Sequence, residues 1–293
     1  MKKFKSVLKL IRPSQYIKNV FIFLPLFFVG QITNSDLLIN AITAFVAFSL
    51  SASAVYILND FLDIEADRLH PIKKYRPLAS GLISKNEAFL LIAIFSVAGV
   101  SLITSQSSQA LVVLLTYITL NIFYCFYLKH IPIIDITIIA IGFVLRLFVG
   151  SLVTETPLSM WIVLMTFLLA LFLALAKRRD DVLHFMNTGK KMRKVIDGYN
   201  LQFIDGAMII MASVVIVSYI LYTTSLEASQ RIQSEFLYLT SLFVILGILR
   251  YLQISFVEQD SGSPTKIMIK DKFIIITILT WIFSFVYLIY FND

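Results

Sequence analysis

Nine apolar runs, each about as long as a bilayer crossing, decide what this chain can fold into. A helix needs roughly 20 residues to cross a ~30 Å hydrocarbon core. Runs near 16–33, 37–58, 86–104, 109–128, 132–153, 159–177, 206–225, 236–256 and 273–291 meet that requirement. Hydrocarbon offers no partner to backbone N–H and C=O groups, so the crossings must be helical. With 58% hydrophobic and 15% charged residues, the chain is too apolar for a soluble domain of its length. The expectation is an all-α polytopic membrane protein of nine transmembrane helices forming one domain over 1–293. The first run contains Pro25 and has a basic leader like that of a signal peptide. No small-residue cleavage site follows Gly30, so it is read as a retained helix. Cys125, the single cysteine, excludes an intrachain disulfide.

Basic residues orient the spans. With a cytoplasmic N-terminus, 23 of the 25 Lys and Arg fall on the cytoplasmic side, leaving Arg231 opposite and Arg146 inside a span. The net charge of +7 is then a topology signal, and nucleic acid is not an expected partner. Most Asp and Glu fall on the same face, as a polar reaction chamber requires, and loops 59–85 and 177–205 hold most of the charge on that side. These loops follow the second and sixth spans, which hints at a duplicated four-helix unit, although no residue-level repeat is visible.

The chemistry concentrates in YILNDFLDIEADRLHPIKKYRPLASG, residues 56–81. Asp60, Asp63 and Asp67 stand at i, i+3 and i+7, on one face if the second helix continues through them, with Asn59 beside them. Oxygen ligands of this kind suit Mg²⁺, which binds one or two carboxylates together with substrate phosphates and water. The acids could instead merely solvate a helix end. The partial negative charge of a helix C-terminus disfavours carboxylates there, which favours a bound cation. Arg68, Lys73 and Arg76 follow closely, as a pyrophosphate pocket would require. Lys74 and Lys85 are read as topology charges.

The segment NDFLDIEADRLHPIKKYRPLASG resembles the NDxxDxxxD motif and basic RPLxSG segment of the UbiA superfamily of intramembrane prenyltransferases. The resemblance implies nine helices around a central cavity open to lipid. Quinone-pathway members carry a second aspartate-rich helix where this chain has ALAKRRDDVLHFMNTGKKMRKVIDGYN. That segment, with RPSQYIKNVFIFLPLFF, FYCFYLKHIPIIDITIIAIGFVLRLFVG and SGSPTKIMIKDK, is similar to the decaprenyl-phosphate phosphoribosyltransferase branch.

The branch implies Mg²⁺-dependent transfer of 5-phosphoribose from phosphoribosyl pyrophosphate to a polyprenyl phosphate, as a step toward an envelope pentose donor. It implies an integral protein of the bacterial inner membrane, with active-site loops cytoplasmic, and is compatible with a homo-oligomer. Asp60, Asp63 and Asp67, with Asn59 assisting, would hold the metal. An already ionised acceptor phosphate needs no general base. This suits a chain whose three histidines, His70, His130 and His184, all lie near the cytoplasmic boundary, with His70 the best placed for a phosphate.

Further site residues are read with a bland alternative beside each. Lys177, Arg178 and Asp181 are candidates for phosphate or ribose contact, although Lys177 and Asp181 at i, i+4 could be a surface pair. Arg146, about 20 Å along its span by helical rise, is a phosphate ligand or a structural partner on a cavity-lining face shared with Asp135. Arg12, Gln15 and Lys18 share one face of a short amphipathic helix. Lys18 is a candidate for the acceptor phosphate, as are Tyr124 and Lys129, with Tyr199 a weaker one. The rivals are an aromatic prenyltransferase using a polyprenyl pyrophosphate, which lacks its second acidic motif here, and a transporter, which leaves the acidic motif unexplained.

Overall fold

Long helices begin where the sequence supplies a capping side chain. The computed structural model describes residues 2–69, 73–191, 193–226, 228, 232, 234–262 and 264–291. Its helices are α1 (Lys2–Ile11), α2 (Leu24–Phe28), α3 (Ser35–Leu62), α4 (Ile64–Leu69), α5 (Lys85–Thr104), α6 (Ser108–Phe126), α7 (Ile134–Thr154), α8 (Met160–Thr188), α9 (Leu201–Thr223), α10 (Ser241–Phe256), α11 (Pro264–Lys270) and α12 (Lys272–Tyr290). Side chains of Asn34, Ser107, Ser159, Asn200 and Asp271 accept hydrogen bonds from the first-turn amides of α3, α6, α8, α9 and α12. Ser84 and Glu87 form a reciprocal capping box on α5. Gly189, in the left-handed region at φ 67°, ends α8.

Among the described residues, eight helices are long and apolar enough to cross a membrane. They coincide with the second to ninth predicted runs. The first run differs. Residues Pro13–Phe23 form a 3₁₀-helix, and α2 restarts with Pro25 in its first turn, where a missing N–H costs nothing. At ~2.0 Å rise per residue in 3₁₀ and ~1.5 Å in α geometry, this segment still covers about 30 Å. Arg231 and His70 lie outside the described residues.

The chain divides into two compact units, residues 1–128 with 142–158, and residues 129–141 with 159–293. In the first, α3 is the central helix. Its Ser49, Ser51, Ala52, Ser53 and Ala54 are buried, and small side chains of this kind let membrane helices approach closely. Gly99 of α5 shows how closely: a Cβ there would meet Ser51 Oγ at 2.3 Å and the Ala47 carbonyl at 2.7 Å. Gly150 of α7 is pressed as tightly on the 3₁₀ segment, where a Cβ would lie 2.0 Å from the Ile22 carbonyl. Phe89, Leu90, Ile94 and Val97 of α5 are exposed, as lipid-facing side chains are.

In the second unit α8 packs on α9, and α10 on α12, around Phe172, Leu175, Ile204, Met208, Ile248 and Tyr251. Trp281 Nε1 donates to the Tyr219 hydroxyl at 2.7 Å, and that hydroxyl lies 2.7 Å from Thr240 Oγ1. These bonds satisfy polar groups that hydrocarbon could not.

Candidate active site

The acidic motif folds as a broken helix. Helix α3 stops at Leu62, Asp63 is its C-cap at φ −93° and ψ 5°, and α4 resumes at Ile64. The i→i−4 bonds of Asp63 to Asn59 and of Asp67 to Asp63 persist across the break. Asp60 and Asp67 therefore keep to one side and are buried, at 2% and 3% exposure. Arg76 Nη1 donates to Asp60 Oδ1 at 2.9 Å and to Asp67 Oδ2 at 2.7 Å. Arg12, in the left-handed region at φ 54°, donates from Nη2 to the same Asp60 oxygen and stacks over Tyr56. Asn59 Nδ2 donates to Asp63 Oδ2 at 3.2 Å. Burial pushes the Asp67 carboxyl above the ordinary carboxylate range, while the Arg76 guanidinium and the Lys73 charge pull it down.

The expectation of three aspartates in register is corrected by this break. Among the described residues no three His, Cys, Asp or Glu side chains converge as a metal site. The donor chemistry still fits Mg²⁺. The arginine contacts use Asp60 Oδ1 and Asp67 Oδ2 only, so Asp60 Oδ2 and Asp67 Oδ1 carry no hydrogen bond among the described residues. One or two carboxylates with such oxygens suffice when phosphates and water complete the shell.

Of the basic residues behind the motif, Arg76 joins the cluster and Lys73 faces Asp67. Arg68 turns away, donating to Glu65 at 3.0 Å and to the Ala79 carbonyl at 3.3 Å. Lys74 is exposed beside the Tyr75 ring.

A second group of charges in this unit lies along the 3₁₀ segment. Its threefold repeat puts Gln15 and Lys18 in one row, a straighter alignment than the expected α-helix gives. The ammonium of half-buried Lys18 forms no hydrogen bond or ion pair among the described residues, and it faces the charges of Arg146 and Arg12. Arg146 is 4% exposed. Its Nε donates to Asn19 Oδ1 at 2.7 Å, its Nη1 to the Gly142 carbonyl at 2.5 Å and its Nη2 to the Tyr117 hydroxyl at 3.4 Å. The rings of Phe48, Tyr117 and Phe143 surround its guanidinium. Asn19 Nδ2 donates in turn to Ser49 Oγ at 2.8 Å. Arg146 thus ties α7 through Asn19 to α3, and neither it nor Lys18 has a carboxylate partner among the described residues. Tyr124 is half-buried near the end of α6.

The second unit holds its own network. Arg178, 1% exposed, donates from Nε to Asp135 Oδ2 at 2.5 Å and from Nη1 to Asp181 Oδ2 at 2.8 Å. Arg193 Nε lies 3.1 Å from the same Asp181 oxygen. The Tyr199 hydroxyl donates to Asp135 Oδ1 at 2.7 Å and accepts from the Ile133 amide at 2.7 Å. Burial and that bond to Asp135 hold the Tyr199 phenol above its ordinary range. Asp181 pairs with Arg178 and Arg193, and Asp135 pairs with Arg178. Lys129 is half-buried in the short 3₁₀ turn Leu128–His130.

Sequence reasoning missed Arg12 as an Asp60 partner, Arg193, and the Asp135–Arg178 pair. An aspartate and an arginine in separate apolar spans were the available signal, since each demands a partner.

The profile of the UbiA prenyltransferase family matches residues 19–276. The chain belongs to the UbiA prenyltransferase family. It is a transferase of that family and an integral membrane protein. It is 32% identical to the decaprenyl-phosphate phosphoribosyltransferase of Corynebacterium glutamicum, over 97% of this chain and 87% of the relative. Its identity to the enzyme of that name from Mycolicibacterium smegmatis is 31%, over 98% and 93%. In fold it resembles the UbiA homolog of Archaeoglobus fulgidus solved with GPP and Mg²⁺, at TM-score 0.69 and 20% identity over 96% of this chain and 99% of that one. A digeranylgeranylglyceryl phosphate synthase structure gives TM-score 0.65 at 18% identity, covering 98% of each chain.

Proposed function

We propose that this UbiA-family enzyme transfers 5-phosphoribose from phosphoribosyl pyrophosphate to a polyprenyl phosphate, releasing pyrophosphate. The near full-length similarity to decaprenyl-phosphate phosphoribosyltransferases supports the reaction class. The structural observation that carries the reading is that Lys18 and Arg146 have no carboxylate partner among the described residues, in the same unit as the Arg-bridged carboxylates. Buried cations without carboxylates favour anionic ligands, and both proposed substrates are phosphates.

Asp60 and Asp67, with Asp63 and Asn59 beside them, would hold Mg²⁺, which when bound supplies charge neutralisation to a pyrophosphate leaving group. Arg76 and Arg12 hold the two buried carboxylates in place. Lys18 binds the acceptor phosphate, and Arg146 fixes Lys18 through the neighbouring Asn19. An oxygen of that phosphate forms the new bond to C1 of ribose as the C1–O bond to pyrophosphate breaks. No proton moves, because the nucleophile is already an anion. The N-terminus and both charged loops are cytoplasmic, where the water-soluble donor is available, and the product serves envelope pentose-donor synthesis.

The test is incubation of purified protein with Mg²⁺, radiolabelled phosphoribosyl pyrophosphate and a polyprenyl phosphate. Label should enter the lipid phase, and D60N and D67N should abolish it. Absence of lipid label, from protein that prenylates an aromatic acid when given a prenyl pyrophosphate, would transfer the assignment to the aromatic branch.

A further inference from the structure

The second unit contains polar atoms that its ion pairs and helix caps leave unused. Asp180 of α8 is half-buried, and its carboxylate accepts no hydrogen bond among the described residues. It lies so close to Gly262 that a Cβ there would meet Oδ2 at 2.3 Å and Cγ at 2.6 Å. Among the described residues of this unit, the hydroxyls of Tyr251, Ser255 and Ser261 are buried without a hydrogen-bond partner, at 3%, 0% and 0% exposure.

Bonds and contacts of neighbouring residues link these groups. Arg179, next to Asp180, donates from Nη1 to the Ser255 carbonyl at 2.6 Å. Tyr251 stands one turn before Ser255 on α10, and Ser261 adjoins Gly262. The Asp260 amide donates to the Ile254 carbonyl at 3.2 Å, folding the loop back on α10. Unpaired hydroxyls are rare in a protein interior, and three beside an unpaired carboxylate call for a ligand.

The chemistry of that ligand is constrained. The charges facing Asp180 are Asp181, Asp260, Lys177 and His184, and the added carboxylates oppose a phosphate. A hard divalent cation takes carboxylates, carbonyls and water, whereas most of these groups are neutral hydroxyls. An ionised carboxylate accepts hydrogen bonds at both oxygens, and hydroxyls donate or accept as needed. We infer that Asp180, Tyr251, Ser255 and Ser261 form a subsite for the vicinal hydroxyls of a pentose. The sugar hydroxyls donate to Asp180 and accept from the serine and tyrosine hydroxyls, and Gly262 leaves the carboxylate room. The pentose rests on the donor proposed above; the preference for a vicinal diol rests on the side chains alone.

The experiment compares binding of ribose 5-phosphate and 2-deoxyribose 5-phosphate to the full-length protein in detergent by calorimetry. Wild type should bind the ribose compound about 10-fold or more tightly over the deoxy compound, because a site built for a hydroxyl rejects the analogue lacking it. D180N and S261A should erase that preference, with the S261A melting midpoint unchanged because no internal bond is lost. If D180N does not fold, S255A and S261A carry the test. Equal affinities in wild type, no binding of ribose 5-phosphate at millimolar concentration, or a preference intact in the folded variants would overturn the subsite. A change confined to Mg²⁺ requirement would do the same. A diol preference lost in D180N, from protein that transfers no phosphoribose, would retain the subsite and reject the donor.

Discussion

Asp60 and Asp67 meet at one nitrogen atom, Arg76 Nη1, at 2.9 and 2.7 Å. The two carboxylates are buried on either side of a helix break, and without the guanidinium they would face each other as like charges. Arg76→Ala should therefore reduce the proposed phosphoribosyl transfer by about 100-fold or more and lower the melting midpoint, since removing one partner of a buried pair costs about 3–5 kcal/mol. Arg76→Lys should rescue the midpoint better than the rate, because an ammonium lacks the planar fork. Transfer by R76A within about threefold of wild type would reject this role.

Metal dependence gives a separate test of the same carboxylates. Chelation should abolish transfer and added Mg²⁺ restore it. D67N should raise the Mg²⁺ concentration for half-maximal rate by about 10-fold or more, since one or two carboxylates hold this ion. Lys74→Ala, an exposed charge beside Tyr75, should leave the Mg²⁺ titration unchanged. An unaltered titration in D67N would remove Asp67 from the metal site.

Lys18 and Asn19 are neighbours with different work. Lys18→Ala should raise KM for the proposed polyprenyl phosphate acceptor by about 10-fold with little change in melting midpoint, because its ammonium has no partner to lose among the described residues. Asn19→Ala should lower the midpoint, because Arg146 and Ser49 both lose a hydrogen bond. Detergent thermal melts alongside acceptor saturation curves separate the two, and an N19A protein as stable as wild type would refute the tether.

The Asp135–Arg178 pair is fully buried, so Asp135→Asn should destabilise the second unit by about 3–5 kcal/mol, the scale for stranding a buried charge. D135N combined with R178Q should recover part of that loss, which a double-mutant cycle in denaturant reads as coupling. Additive losses would mean that the two side chains act separately.

Much of this was legible in the sequence, because length and apolarity alone locate membrane helices. Eight predicted runs match long helices within a few residues, apart from the polar C-terminal extension of α8. The first run did not match: apolarity cannot distinguish 3₁₀ from α geometry, and Pro13 and Pro25 each bias the local backbone. The acidic motif was readable as a cluster, but its break at Asp63 was not. Spacing assumes a continuous helix, whereas Arg12 and Arg76 bind Asp60 from outside it. Arg146 and Asp135 were visible as costly intramembrane charges. Their partners were not, since Asn19 and Arg178 stand 127 and 43 residues away in the chain.

That order along the chain bears on how the protein is made. Asn19, Phe48 and Tyr117 all leave the ribosome before Arg146 does. A central arginine raises the cost of helix insertion by about 2.5–3.5 kcal/mol, and α7 brings its own into a bilayer where every distant acceptor has already been synthesised. Asp135 meets the reverse situation. It enters at the start of the same helix and must wait at the interface until Arg178 is translated. Truncation before α8 would strand it there, making the unfinished chain a natural substrate for membrane quality control.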